Sequence, residues 1–586
     1  MSEITGKVFD TKVFKRILKY VKPYQSRFIF TGLLTFLLGF LGPARPILVQ
    51  YTLDNSIITP NPTLLFQLTA AMIGLLVAET VVQFYQTYMA NWVGQNVIKD
   101  LREETYHKIS AFKLKYFDQT PIGTMVTRVV SDIETIADVF SNGVLIIVGD
   151  ILKLIIVIII MFVTDWRLAL LSLGSISFLL IATKMFNKAI KSAFQDVRTE
   201  VSRLNAFVQE HITGMNIVQI FNREQKEYEK FKGINKKHRN AHIRTVWANA
   251  IFFPVVELFS ATSLALLVWF GSKGILDESV SFGNLVAFIL YIHMLFRPIR
   301  QLADRFNTLQ MGMVSSERVF KVLDTDAKIE NEGNLKLKNP KGQIDFKDVW
   351  FAYNEPEWIL RDINFSVAPG EKVALVGPTG AGKSSIINLL GRFYEYQKGT
   401  VSIDGNLIQD IDLNSLRKHV GIVVQDVFLF SDTIYNNITL NNPRITMEEV
   451  RTASKEIGAD DFIMRLPGDY QYAVGERGGT LSVGQRQLLA FIRAYLYNPE
   501  ILILDEATSS VDTESEEMIQ KATEKITENR TSIIIAHRLA TIQKSDRIMV
   551  VDDGRIIESG NHTELLKENG FYKNLYDMQF ATELES

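Results

Sequence analysis

Hydrophobic residues fall into two regimes along this chain. Up to about residue 315 they gather in runs that approach or exceed the roughly 20 residues a helix needs to cross bilayer hydrocarbon. These runs are Phe28 to Gln50, Leu64 to Trp92, Val139 to Val163, Leu168 to Phe186, Val246 to Phe270 and Phe282 to Phe296. The last is short in apolar residues and continues as a mixed helical pattern toward Val322. From Gln343 the runs shrink to strand length and alternate with helical patterns. QIDFKDVWFAY and ILRDINFSV read as strands, and ILILDE and TSIIIAH are continuous apolar runs suited to buried parallel strands. The pattern predicts a multi-domain membrane protein: a cytoplasmic segment over 1–27, an all-α six-helix transmembrane domain over 28–322, a linker over 323–342 and an α/β domain over 343–586.

Charge decides the orientation. Lys7, Lys12, Lys15, Arg16, Lys19, Lys22 and Arg27 precede the first run; Lys99, Arg102, Lys108, Lys113, Lys115 and Arg128 lie between the second and third; KGINKKHRNAHIR lies between the fourth and fifth. The opposite connections, DNSIITPNPT, TDWR and GSKGILDES, are short and nearly free of positive charge. By the positive-inside rule both termini are expected in the cytoplasm, with the membrane read as a bacterial plasma (inner) membrane. The first 27 residues lack a small-residue cleavage pattern, so the first run is expected to stay as an anchor. The basic connections are long and helical in pattern, which predicts that membrane helices extend into the cytosol. Short breaks occur at YFDQTPIG (Tyr116 to Gly123) and EHITGMNIVQIFNRE (Glu210 to Glu224).

The 63 basic and 65 acidic residues nearly cancel, giving no reason to expect nucleic acid as a partner. With no cysteine, disulfides and thiolate chemistry are excluded, and eight scattered histidines argue against catalytic zinc. Ionisable residues inside apolar spans are costly and mark partners or wet cavities. Arg45, between Pro43 and Pro46, Glu79 and Glu257 are read as lining a cavity; Asp150 and Lys153, three apart, are read as neutralising each other on one helix face; Arg297 and Arg300 stand at the foot of the sixth span.

The chemistry lies in the second half. GPTGAGKS, from Gly377 through Pro378, Thr379, Gly380, Ala381, Gly382 and Lys383 to Ser384, follows the apolar run KVALVG and opens a helix at SSIINLLGRF. That is the strand, glycine loop and helix that turn backbone N–H groups and a helix dipole onto phosphates, with Ser385 in the first turn. Lys383 is expected on the β- and γ-phosphates of ATP, and Ser384 on Mg²⁺. Asp505, at the end of ILILD, is placed to hold the metal through water; Glu506 beside it is the candidate general base. The α/β domain is thereby read as a P-loop ATPase.

The ordered series of motifs resembles that of an ATP-binding cassette (ABC) exporter of the half-transporter kind, and the likeness covers nearly the whole chain. Tyr353 in FAY resembles the adenine-stacking aromatic, Gln425 in VVQD the Q-loop residue that also meets the metal, LSVGQ the signature, Asp512 in SSVD the D-loop and His537 in IIIAHR the switch histidine. GERGG resembles the exporter X-loop, and the two helix breaks resemble coupling turns. The resemblance implies that Ser482, Gly484 and Gln485 meet the γ-phosphate of an ATP held by a second half-transporter. It implies also that paired chains move drugs or lipids, amphipathic compounds, across the bilayer by alternating access. Val483 stands where the family has its first glycine; read as pointing away from the phosphate, it leaves a homodimer favoured, while the altered signature beside Glu506 keeps a heterodimer with unequal sites open. A nucleotide-gated regulatory module without turnover is the alternative from another class; Glu506, His537 and Gln425 argue against it.

Overall fold

The computed structural model describes residues 10–58, 60–139, 145–329, 331, 333–505, 513–536 and 538–579. The chain divides into two compact units, one of residues 1–110 and 122–325 and the other of 111–121 and 326–586.

The first unit is helical. Its short α1 (Thr11–Val21) is amphipathic, burying Ile17 and Val21. Long helices follow: α2 (Gln25–Thr52), α3 (Pro62–Ser110), α7 (Leu145–Thr164), α8 (Trp166–Thr213), α10 (Glu224–Leu276) and α11 (Phe282–Asp324). Between α3 and α7 the chain breaks into α4 (Leu114–Gln119), α5 (Ile122–Thr127) and α6 (Ile133–Asp138), and α9 (Met215–Ile220) separates α8 from α10. Among the described residues five helical stretches are long and apolar enough to cross a membrane, and a shorter apolar stretch, Phe282–Phe296, opens α11. At 1.5 Å per residue, α8 and α10 run about 70 to 80 Å, more than twice the roughly 30 Å hydrocarbon core. The apolar spans and the polar rods beyond them are therefore continuous helices.

Polar groups within these spans find local partners, as a medium without water demands. Thr31 and Thr35 donate to carbonyls one turn back, at 2.8 and 2.9 Å. Arg45 of α2 forms an ion pair with Glu79 of α3. A Cβ at Gly42 would meet Lys153 Nζ at 3.3 Å and Glu79 Oε1 at 3.7 Å, so the glycine makes room where three helices bring charges together. Asp150 pairs with Arg305 of α11 at 3.4 Å, a partner that spacing along its own helix does not reveal. Side chains of Arg297 and Arg300 lie outside the described residues. The foot of α11 is tied to α1: Arg16 donates to both carboxylate oxygens of Asp324 at 2.6 and 2.7 Å. Tyr20 and Tyr24 donate to Glu104 and Asp100 of α3, each at 2.8 Å.

The second unit holds two sheets. An antiparallel sheet runs in the order β2-β1-β4-β5, from β1 (Ile344–Phe351), β2 (Leu360–Val367), β4 (Lys398–Ile403) and β5 (Asn406–Leu407). A six-stranded sheet runs β10-β9-β3-β8-β7-β6, built from β3 (Lys372–Val376), β6 (Val420–Val423), β7 (Ile501–Asp505), β8 (Thr531–Ile535), β9 (Arg547–Asp552) and β10 (Arg555–Gly560). Its strands from β9 to β6 are parallel and β10 is antiparallel. Continuous apolar strands follow from burial on both faces. Val373, Leu375, Ile501, Ile503, Ile533 and Ile535 pack into one core, while Ala374, Val376, Leu502, Leu504 and Ile534 pack into the other. The helices that position the site are α12 (Lys383–Leu390), α13 (Leu413–His419), α14 (Ile434–Thr439), α15 (Met447–Ile457), α16 (Asp460–Met464), α17 (Val483–Tyr497) and α18 (Thr513–Thr527).

Candidate functional site

The turn from β3 into α12 is built on glycine. Gly377, Gly380 and Gly382 have φ of 151°, 87° and 107°, values that disfavour any residue with a Cβ. At Gly377 a Cβ would also fall 2.0 Å from the Val551 carbonyl oxygen, so the loop lies directly against β9. Pro378, Thr379, Gly380 and Ser384 are exposed, whereas Ala381, Gly382, Lys383 and Ser385 are buried. The result is an open cradle on a fixed base. Lys383 curls back over it, its Nζ donating to the carbonyls of Gly377 at 2.7 Å and Pro378 at 3.0 Å. Burial lowers its pKa, and the Asp505 carboxylate opposes that shift. An ammonium already stripped of water and held by neutral carbonyls is primed for an anion.

Asp505 ends β7, and its Oδ2 lies 3.5 Å from Ser384 Oγ. Val423 of β6 pairs with Leu504 of β7, so Gln425, exposed two residues beyond β6, leaves the sheet beside Asp505. Carboxylate, hydroxyl and amide oxygens are hard donors that fit Mg²⁺ and have little use for a softer metal. Tyr353 follows β1 and reaches α12: its hydroxyl lies 3.2 Å from Ser385 Oγ and accepts from Asn388 Nδ2 at 3.2 Å.

Ser482, Gly484 and Gln485 gather at the start of α17, away in sequence from the cradle, and their polar groups serve one another. Ser482 Oγ accepts from the Gln485 N–H at 3.2 Å while Gln485 Oε1 accepts from the Ser482 N–H at 3.0 Å, a reciprocal cap. Gly484 is buried, and Val483 is 41% exposed. The GERGG turn before it contains Arg477 at φ 53° and Gly478 at φ 72°. It is tied to α17 by Arg486, which donates to the carbonyl of Gly478 at 3.5 Å and to that of Leu481, just beyond the turn, at 3.1 Å. Glu506, Asp512 and His537 lie outside the described residues; Asp505, which precedes Glu506, and Ile535, two residues before His537, pair across β7 and β8.

Sequence reasoning missed Asn388 and Tyr394. Tyr394 stands edge-on to Tyr353, ring centroids 4.9 Å apart. The signal was present in GRFYEYQ, where three aromatics crowd into four positions after an aliphatic helix.

Comparison with known proteins agrees with this geometry. Residues 28–299 match the family described as ABC transporter transmembrane region, and residues 360–509 the family described as ABC transporter. The chain is 39% identical to an uncharacterized ABC transporter ATP-binding protein of Bacillus subtilis, over all of this chain and 97% of that protein. It is 36% identical to a putative multidrug export ATP-binding/permease protein of the same organism, over 97% of this chain and 99% of the relative. It is also 33% identical to an ATP-dependent lipid A-core flippase of Syntrophus aciditrophicus, over 97% of this chain and 95% of the relative. The chain therefore belongs to the ABC transporter family. It is an integral membrane half-transporter of the exporter type, binding ATP and coupling its hydrolysis to transport.

Proposed function

We propose that two copies of this chain export or flip amphipathic compounds, drugs or lipids, by alternating access, with two ATP molecules sandwiched between paired nucleotide domains over 343–586. Both termini and these domains face the cytoplasm of a bacterial plasma membrane, an orientation supported by the basic connections. The drug or lipid wording is supported by the relatives, one named for multidrug export and one for lipid A-core flipping.

In this reading the loop from Gly377 to Gly382 cradles the phosphates, Lys383 exchanges two carbonyl partners for phosphate oxygens, and Tyr353 stacks on adenine. Ser384, Gln425 and Asp505 would hold Mg²⁺, which supplies charge neutralisation at the β- and γ-oxygens. Glu506 takes the proton of the attacking water as its oxygen bonds to the γ-phosphorus and the bond to the β–γ bridging oxygen breaks. His537 and Asp512 complete the site, and Ser482 and Gly484 of the partner chain's α17 receive the γ-phosphate at a helix start.

One observation carries the paired arrangement. The first coupling turn belongs to the ATP-binding unit of its own chain, whereas α9 at the second leaves Ile217, Ile220 and Phe221 55%, 69% and 68% exposed. On the ATP-binding unit Phe428 and Phe430 are 52% and 59% exposed. Exposed apolar tips of this kind mark an interaction site, and a second copy supplies the complement. The test is the mass of the purified complex, with a disulfide between cysteines introduced at Ile217 and Phe430. Cross-linked dimers of one chain are expected; a complex only with a different half-transporter would favour the second reading, to which Val483 in the signature points.

A further inference from the structure

Two of the eight histidines are not scattered. His238 and His242 sit four apart on α10, one above the other on one helix face, with ring centroids 4.6 Å apart and planes at 66°. That face borders the seam with α8. Covered positions recur there at alternating steps of three and four, as at Ala193, Val197 and Glu200 on α8 and at His238, Ala241 and Thr245 on α10. The register of the antiparallel pair is fixed on one side by Phe207 against Phe231, centroids 6.2 Å apart, and by His211 bonded to Glu227 at 3.1 Å. On the other side Arg244 pairs with Asp196 at 3.0 Å. Two turns from the phenylalanines, the same register sets Glu200 of α8 level with His238 of α10.

The Glu200 side chain is only 15% exposed, and its Oε1 accepts from Arg203 at 2.8 Å. Its Oε2 is shut off from solvent and has no hydrogen-bond partner among the described residues. A buried carboxylate oxygen is costly to leave unsatisfied, and the group level with it is an imidazole that has a second imidazole one turn away. Lys236, Lys237 and Arg239 are exposed and lie about a quarter turn or more around α10 from His238, where water screens their repulsion of a cation.

We propose that His238 and His242 chelate a divalent first-row metal ion of the zinc class and that Glu200 closes the site from α8, so that the ion staples the two helices beside the second break. Two imidazole nitrogens with one carboxylate oxygen suit a borderline cation such as Zn²⁺, whereas Mg²⁺ and Ca²⁺ prefer oxygen throughout. Among the described residues no three ligating side chains are already gathered around one point, so the histidine pair binds first and the Glu200 carboxylate rotates onto the ion. The site belongs to the helical unit and does no chemistry on ATP; it stiffens the hairpin of α8 and α10.

The test titrates Zn²⁺ into the full chain in lipid nanodiscs, purified without a histidine tag, stripped with EDTA and free of nucleotide, against a competing chromophoric chelator. One ion per chain is expected, with affinity at least about tenfold weaker in His238→Gln and in His242→Gln and unchanged in the control His107→Gln. His238→Cys, which restores a zinc ligand, should restore binding, a rescue that a merely structural role for the histidine would not give. Hydrogen–deuterium exchange reads the bridge: Zn²⁺ should slow exchange around both Glu200 and His238 in the wild type, and Glu200→Gln should keep the second effect and lose the first. No zinc bound by the wild type, or equal affinity in the His238→Gln and His242→Gln variants, overturns the site. Mg²⁺ binding as tightly as Zn²⁺ overturns the donor assignment, and protection around residue 200 that persists in Glu200→Gln overturns the staple.

Discussion

Ser384, in the first turn of α12, and Asp505, the last residue of β7, bring a hydroxyl and a carboxylate oxygen within 3.5 Å of each other beside an exposed glycine cradle. In the proposed reading this spacing would give Mg²⁺ two hard ligands from separate elements, so that losing either would weaken the metal more than the fold. Ser384→Ala and Asp505→Asn are each expected to raise the Mg²⁺ concentration for half-maximal ATPase about 10- to 100-fold. Titration of ATPase against Mg²⁺ checks this, and EDTA should stop turnover while nucleotide binding persists.

Glu506 is assigned the proton of the attacking water. Glu506→Gln should lower kcat about 10²- to 10⁴-fold with ATP affinity preserved, because the amide keeps the shape and loses the base. Single-turnover hydrolysis beside equilibrium ATP binding measures both; unchanged hydrolysis would remove the assignment.

In the proposed reading Tyr353 offers its ring to adenine, and stacking of bases on aromatics is worth about 1–3 kcal/mol. Tyr353→Ala should therefore raise KM for ATP about 5- to 150-fold with a smaller change in kcat. Tyr353→Trp should restore most of the loss, since it keeps a stacking face.

Arg45 and Glu79 neutralise each other inside the membrane half. Glu79→Gln leaves a guanidinium in a poorly solvated place and is expected to cost about 1–3 kcal/mol. Arg45→Gln combined with Glu79→Gln should recover part of that. Thermal unfolding of the detergent-held protein checks the non-additivity.

Asp324 titrates below its ordinary 3.8 because the Arg16 guanidinium holds its anion. A depressed carboxylate stabilises the folded state above its unfolded pKa and loses that contribution as pH falls through its folded pKa. Docking of α1 should accordingly loosen only below about pH 4 and be independent of pH between 5 and 8. Asp324→Asn should show the loosened state at neutral pH, read by proteolysis near Lys22.

The sequence made the strand–loop–helix at Gly377 and the strand ending at Asp505 legible because each element is specified locally: glycines where φ is positive, aliphatic runs where both faces are buried. Long-range pairing was not legible. Nothing in QIDFKDVWFAY says that Ile344 pairs with Val367 and with Ile403 in a sheet separate from β3. Nor does spacing reveal Arg305 as the partner of Asp150. The helix α1 was hidden in a segment read as polar and basic, although Ile17 and Val21 lie four apart on its buried face. The hydrogen bond from Tyr394 to Asp118 joins residues far apart in the chain, and only the fold brings them together.

The absence of cysteine permits a direct test of ATP-driven closure. A spin label on Glu568→Cys, exposed on the ATP-binding unit, reports the separation of the two cassettes in a reconstituted dimer by electron–electron resonance. A shorter, narrower distance distribution with ATP in the Glu506→Gln background than without nucleotide is the predicted result; the same distribution in both conditions would contradict the account.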